Sequence, residues 1–256
     1  MARQTAELIY ENTIPAVFVR RISRFTAEVL IDGRPEIVHV KNTGRLGELL
    51  LPKAKVTLQK AADPKRKTAY DLISVYKPRL KWVNIDSLAP NILMRKYLES
   101  MNFYDLIKPE YRYGDSRIDF YMERARTASA SSPRTAHKME TGSDRYLTEV
   151  KGCTLADDLR KGIGLFPDAP TERGVKHLHE LAKASREGYI CSISFVIQMN
   201  GIHLVFPNNE TQPEFRKAMV EAVHAGVQVN CLSSHVEADR IKITGIVADT
   251  DRYKSQ

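Results

Sequence analysis

Cysteine is scarce in this chain of 256 residues, and Cys153, Cys191 and Cys231 share no CxxC spacing. That excludes a disulfide framework and a thiolate zinc site, leaving reduced thiols in or near the core. Long hydrophobic runs are also missing. No stretch of about 18 apolar residues offers a membrane span. Met1-Ala2-Arg3-Gln4 leads to Glu7 rather than to the apolar centre of a secretion signal. The chain reads as cytoplasmic, with no membrane partner. It does not have the poverty of apolar residues that marks a disordered chain. At 43% apolar it holds enough for a core, and its length allows two ordinary domains. Metal-ligand spacing among histidines is absent as well. His177 and His179 lie two apart on a predicted helix, which turns them to different faces, so they read as surface residues or phosphate contacts.

What is abundant is positive charge, and it is unevenly spread. The net charge is +8, and residues 1–80 hold 15 Lys and Arg against 8 Asp and Glu, or +7 of it. A one-sided basic field suits a polyanion such as nucleic acid, although a solvated surface would carry the same charge.

That basic third reads as short strands and turns. Val17-Phe18-Val19, Phe25 to Ile31, Glu36 to Val40, Lys55 to Leu58 and Tyr70 to Val75 alternate or run apolar. Asp32-Gly33 between two of them is a hairpin signal. Asn42-Thr43-Gly44-Arg45 is a tight turn, and Leu46 to Leu51 is read as one short helical turn. Five short strands in so few residues predict a small OB-like barrel, an architecture that binds single strands with basic grooves and stacked aromatics. The nucleic-acid-binding candidates are Arg20, Arg21, Arg24, Phe25, Arg45, Lys65, Arg66 and Lys67, with a core position favoured over a stacking one for Phe25. Lys77 to Lys81 reads as the linker, giving domains 1–80 and 81–256.

The second domain predicts a helix over Ile92–Met101 and two strands around Asp119 and Glu149. A loop at 124–145, rich in Ala, Ser, Thr and Arg, is expected to be mobile. Beyond it come a helix from Arg173 to Glu187 capped by Thr171 and ended by Gly188, and a doubly buried strand over Tyr189–Met199. A helix from Pro213 to Ala225 and two last strands follow. The order predicts an α/β layer arrangement like that of restriction endonucleases.

Within it, Tyr146 to Lys151 and Ser116 to Tyr121 alternate with period two. Leu147 and Val150 are expected toward a core, with Glu149 and Lys151 on the opposite face. If the two strands pair, Asp119 comes opposite Glu149. Two carboxylates and the Val150 carbonyl then offer three oxygens to Mg²⁺ or Mn²⁺, with Lys151 at the metal's edge to orient a water or offset charge on a phosphate. Asp, gap, Glu-x-Lys resembles the PD-(D/E)XK nuclease signature. An ordinary cross-strand salt bridge would use the same residues.

Four stretches occur in order: Asn42-Thr43-Gly44-Arg45 with Glu48-Leu49-Leu50, Ser116 to Phe120, Glu149-Val150-Lys151, and Phe166 to Gly174 followed by His177-Leu178 and Glu180-Leu181. Together they resemble the sugar fermentation stimulation protein A family over nearly the full length. The resemblance implies an N-terminal OB-like domain, a C-terminal nuclease-like domain, and DNA binding. It makes Asp119, Glu149 and Lys151 catalytic candidates, with metal held by Asp119, Glu149 and the Val150 carbonyl. Arg173 and His177 become supporting or phosphate-contacting candidates. In two respects the chain departs from the pattern. The first helix carries Arg95-Lys96 with only Glu99 nearby, where related cores place a glutamate, and the 124–145 loop is long. The expected function is a Mg²⁺- or Mn²⁺-dependent nuclease acting on DNA, with RNA as a further candidate. The alternatives are a non-catalytic DNA-binding regulator of sugar-utilisation genes, or a module for acidic protein partners. Nothing in the sequence sets the oligomeric state.

Overall fold

The computed structural model describes residues 6–126, 142–157 and 159–254. The first strands are β1 (Glu7–Ile9), β2 (Thr13–Arg21), β3 (Thr26–Ile31), β4 (Arg34–Val40), β5 (Lys55–Lys60), β6 (Tyr70–Lys77) and β7 (Lys81–Asn84). The turn between β3 and β4 is Asp32-Gly33, with φ of 49° and 79°, which matches the right-handed twist of a tight hairpin. β4, β3, β2, β5 and β6 lie side by side in that order, and a parallel pairing of β4 with β6 through His39↔Asp71 and Val40↔Leu72 closes them into a five-stranded OB barrel. Val29, Val38, Val56, Leu58 and Leu72 fill it and are fully buried. Leu46 plugs it from the β4–β5 connection, where the N–H groups of Leu49 and Leu50 both return to the Leu46 carbonyl in a single turn.

Two departures from the expected boundary at residue 80 follow from strand pairing. Lys77 to Lys81 is not a linker but a reversal, because Lys77 pairs with Lys81 and β7 extends the barrel sheet to Asn84. β1 leaves the barrel altogether and pairs with the strand Arg240–Val247 of the other sheet. Strands of three and four residues are too short to show a period, so neither announced itself.

The second unit contains α1 (Ala89–Ser100), β8 (Leu106–Tyr113), β9 (Ser116–Ala125), β10 (Ser143–Cys153), β11 (Leu155–Ala156), β12 (Ile163–Phe166), α2 (Glu172–Arg186), β13 (Ile190–Ile197), β14 (Leu204–Pro207), α3 (Pro213–His224), β15 (Gln228–Val236) and β16 (Arg240–Val247). The main sheet runs β1-β16-β15-β13-β10-β9-β8, with β10, β13 and β15 parallel at its centre. β13 has neighbours on both edges and cores on both faces. Ile193 and Phe195 pack in the core shared with Leu178 and Leu181 of α2, while Val196 packs with Leu93 and Leu98 of α1. β11, β12 and β14 form a small separate sheet. α2 starts where Thr171 Oγ1 accepts the Gly174 N–H at 3.0 Å, and Gly188 follows its end with a φ of 91°.

The expected loop 124–145 is sheet at both ends, where Arg124 pairs with Asp144 and Ala125 with Ser143. Its remaining stretch, 127–141, lies outside the described residues. Strand parity corrects a second expectation. Residues two apart share a face and residues three apart do not, so Leu147 joins the α2-side core and Val150 the α1-side core. Glu149 and Lys151 therefore share the face of Leu147.

One core runs through barrel and α/β unit alike, including both Val56 and Phe195. Polar ties reinforce it. Gln198 Nε2 donates to Asn84 Oδ1 at 2.8 Å and to the Asp86 carbonyl at 3.0 Å, and Lys41 Nζ meets Asp86 Oδ2 at 2.7 Å. The two units thus hold a fixed relation across the cleft between them. Cys153, Cys191 and Cys231 are buried free thiols, and among the described residues no helix is long and apolar enough to cross a membrane.

Candidate active site

β9 and β10 pair antiparallel through Leu147↔Tyr121 and Thr148↔Phe120, and there their pairing ends. One position further the strands part, and Asp119 takes over the hydrogen bond that the sheet gives up: the Val150 N–H donates to Asp119 Oδ2 at 2.8 Å. On its other edge β10 stays paired with β13 as far as Cys153↔Ile197. In an extended strand the N–H and C=O of one residue leave on the same side. The Val150 carbonyl therefore faces the side of Asp119.

Glu149 is 2% exposed, yet only one of its oxygens is satisfied. Oε1 accepts from Lys151 Nζ at 2.6 Å and is hydrogen-bonded to Nδ1 of His177 on α2. Oε2 is buried with no hydrogen-bond partner among the described residues. Asp119 is held from α1, where Asn91 Nδ2 donates to Oδ1 at 2.8 Å. Asn91, Asp119, Glu149, Val150 and Lys151 line a pocket of about 450 Å³. Its rim carries Arg173, whose Nε–H points to His177 Nε2 at 3.4 Å. That bond makes Nε2 the acceptor and assigns the ring proton to Nδ1, facing Glu149.

Burial pushes the Asp119 carboxyl up to about 6, and the charge of Glu149 adds to the rise. The Val150 N–H, Lys151 and Asn91 oppose it. Burial also raises Glu149, but the His177 hydrogen bond and the charge of Lys151 outweigh it and hold Glu149 below the usual carboxylate range. One carboxylate stays charged while its neighbour is poised near neutrality. Among the described residues no three His, Cys, Asp or Glu side chains gather as a metal cage. The hard donors are two carboxylates and a carbonyl, and the orphaned Glu149 Oε2 fits a cation. Mg²⁺ sites commonly take one or two carboxylates and complete their shell with water and substrate phosphates.

The structure thus brings Asp119, Glu149, Val150, Lys151 and Arg173 to one pocket, with His177 behind Glu149. His177 is 3% exposed and locked on Glu149, which corrects the surface reading. His179 is exposed. Asn91, Asp168 and Gln198 also line the pocket. Asn91 sat unremarked before the expected helix, Gln198 at the end of an apolar run gave no signal, and Asp168 was visible only as part of the Phe166–Gly174 stretch.

A family profile described as "Sugar fermentation stimulation protein RE domain" matches residues 86–240, and a second, "SfsA N-terminal OB domain", matches residues 19–85. The chain belongs to the sugar fermentation stimulation protein family. Sugar fermentation stimulation protein homologs from Ruminiclostridium cellulolyticum and Clostridium beijerinckii are 43% and 42% identical to it. They cover 91% and 93% of this chain and 96% and 97% of their own. The solved structure of Pyrococcus furiosus SfsA in complex with Ca²⁺ superposes with a TM-score of 0.77 at 25% identity. It covers 94% of this chain and 96% of that one.

In this chain the basic candidates separate by partner. Arg20 pairs with Glu28 at 2.7 Å, and Arg66 forms a two-pronged pair with Asp71 at 2.7 and 3.0 Å. Arg21 donates to the carbonyls of Ser23, Arg24, Asn42, Gly44 and Arg45, stapling the β2–β3 loop to the β4–β5 turn. Arg24, Arg45, Lys65 and Lys67 are exposed. Phe25 is 49% exposed, which corrects the favoured core reading, and the Arg24 guanidinium lies 5.8 Å from its ring centre. Arg24 to Phe25 and Lys65 to Lys67 occupy the two loops that OB barrels use for oligonucleotides, β2–β3 and β5–β6 here.

Proposed function

We propose that this SfsA-family chain is a divalent-metal-dependent nuclease that binds DNA and hydrolyses its phosphodiester bonds, with RNA as a further substrate. The observation that carries the reading is the unpartnered, buried Oε2 of Glu149 beside Asp119 and the Val150 carbonyl. A buried carboxylate oxygen without a hydrogen-bond partner is uncommon, and a bound cation would supply one. Mg²⁺ or Mn²⁺, held by Asp119, Glu149 and the Val150 carbonyl, would lower the pKa of a water and offset phosphate charge. The binding of Ca²⁺ by the Pyrococcus furiosus relative supports a hard cation in this fold.

The chain's own groups then have distinct tasks. Asn91 and the Val150 N–H hold Asp119 in place, and His177 holds Glu149. Lys151 keeps an ammonium beside the reacting phosphate, where charge develops in the transition state. Arg173 and Arg24, which also line the pocket, would meet phosphates next to the scissile one.

The test is incubation of the purified protein with labelled single- and double-stranded DNA and RNA, with and without Mg²⁺ or Mn²⁺. Metal-dependent cleavage that Asp119→Ala and Glu149→Ala abolish is expected. If the wild type cuts none of the four substrates, or Asp119→Ala cuts as fast as wild type, the enzymatic reading fails. A DNA-binding regulator of sugar-utilisation genes then becomes the better account, favoured by the two oligonucleotide loops of the barrel.

A further inference from the structure

The pocket that holds Asp119 and Glu149 is not made by the α/β unit alone. Arg24, Asn42, Thr43 and Gly44 of the barrel form one of its walls. That wall is fixed in shape. Arg21 ties the carbonyls of Arg24, Asn42 and Gly44 together at 2.6 to 2.8 Å, and Asn42 Nδ2 donates to the Ile85 carbonyl at 2.9 Å. Gly44 lies so close to Asp168 that a Cβ there would stand 2.4 Å from its Oδ2. The barrel is thus drawn up against the chemistry instead of standing off as a remote handle.

We infer that the substrate of this site is single-stranded nucleic acid, threaded between the barrel loop at Arg24-Phe25 and the floor at Asp119 and Glu149. The inference rests on the nuclease reading for the identity of the polymer, and goes beyond it in naming the strandedness. A pocket of about 450 Å³ is the size that takes one drug-sized group, such as a nucleotide. Glu149 on its floor is 2% exposed. A flexible single strand can bend to bring one phosphate to that floor, whereas a duplex, with a persistence length of about 150 bp, resists the bend. At the rim, Phe25 presents a half-exposed ring next to Arg24, which itself lines the pocket. An exposed aromatic beside a cation, on the loop joining the first two barrel strands, is the stacking platform that single-strand binders use. A paired base has both faces covered by its neighbours and offers nothing for it to stack on.

The experiment measures binding to the full chain in EDTA, so that no cleavage enters. The probes are fluorescent oligo(dT), oligo(U) and a blunt DNA duplex of equal length. Wild type should bind the single strands at least about tenfold tighter than the duplex. Phe25→Ala should weaken single-strand binding by about fivefold or more, the lower end for one lost base stack. It should leave duplex binding unchanged, and Phe25→Trp should restore the loss. Equal or tighter duplex binding, or a Phe25→Ala loss that is the same for both, overturns the inference even if the protein cuts DNA. A retained single-strand preference without cleavage under any metal upholds it and removes the nuclease reading alone.

Discussion

His177 Nδ1 on α2 is hydrogen-bonded to Glu149 Oε1 on β10, and both side chains are nearly sealed from water. The bond leaves Oε2 as the oxygen without a partner among the described residues, so in the proposed metal site His177 would determine which oxygen a cation meets. His177→Leu should raise the Mn²⁺ concentration needed for half-maximal cleavage by about 10- to 100-fold, the usual effect of removing a ligand's support. His177→Asn, whose amide N–H stands near the place of Nδ1–H, should recover much of it. Equal metal titrations for both variants would remove the positioning role.

Lys151 sits 2.6 Å from Glu149 Oε1 with a side chain only 14% exposed. Lys151→Ala should leave metal binding near wild type by calorimetry and lower the single-turnover cleavage rate by about 10² to 10³, the effect of losing one transition-state donor. A lost metal site with an unchanged rate at saturating metal would instead make Lys151 a structural partner of Glu149.

Asp119 carries a pH signature in metal-free protein. Its carboxyl is raised from 3.8 to about 6, so the folded chain binds the proton more tightly than the unfolded chain. Stability therefore falls as pH rises through the window from about 3.8 to about 6, and stays reduced above it, by on the order of 3 kcal/mol. Asp119→Asn cannot ionise, so its Tm relative to wild type in EDTA should be distinctly higher at pH 7.5 than at pH 4. A Tm difference that does not change with pH would contradict the strained ionisation.

Arg21 at the end of β2 and Arg24 on the loop that follows do different work. Arg21→Ala should cost about 1.5–3 kcal/mol of stability, because several carbonyls lose a charged donor. Replacing exposed Arg24, Arg45, Lys65 and Lys67 together should leave the Tm nearly unchanged. It should flatten the dependence of log affinity on log salt by about 0.7 to 0.9 for each lost phosphate contact. Denaturation curves and salt titrations separate the two outcomes, and an unchanged slope would place the binding face elsewhere.

Local grammar could be read along the chain. Asp32-Gly33 specified a hairpin, Thr171 and Gly188 bracketed α2, and the β-branched run near Ile193 required a strand covered on both faces, because each depends on neighbours in the chain. Glu149-x-Lys151 was legible as a carboxylate and an amine on one strand face for the same reason. What the tertiary structure decided depends on contacts between residues far apart in sequence. The short strands β1 and β7 exist only because β16 and β6 supply their hydrogen bonds. Asn91 acquires its task from Asp119, and His177 changes from surface residue to buried support because α2 packs over β10. The pocket wall at Asn42–Gly44 needs the barrel folded against the α/β unit. Period and propensity describe which way a side chain leaves its own backbone. Only packing decides what it meets there.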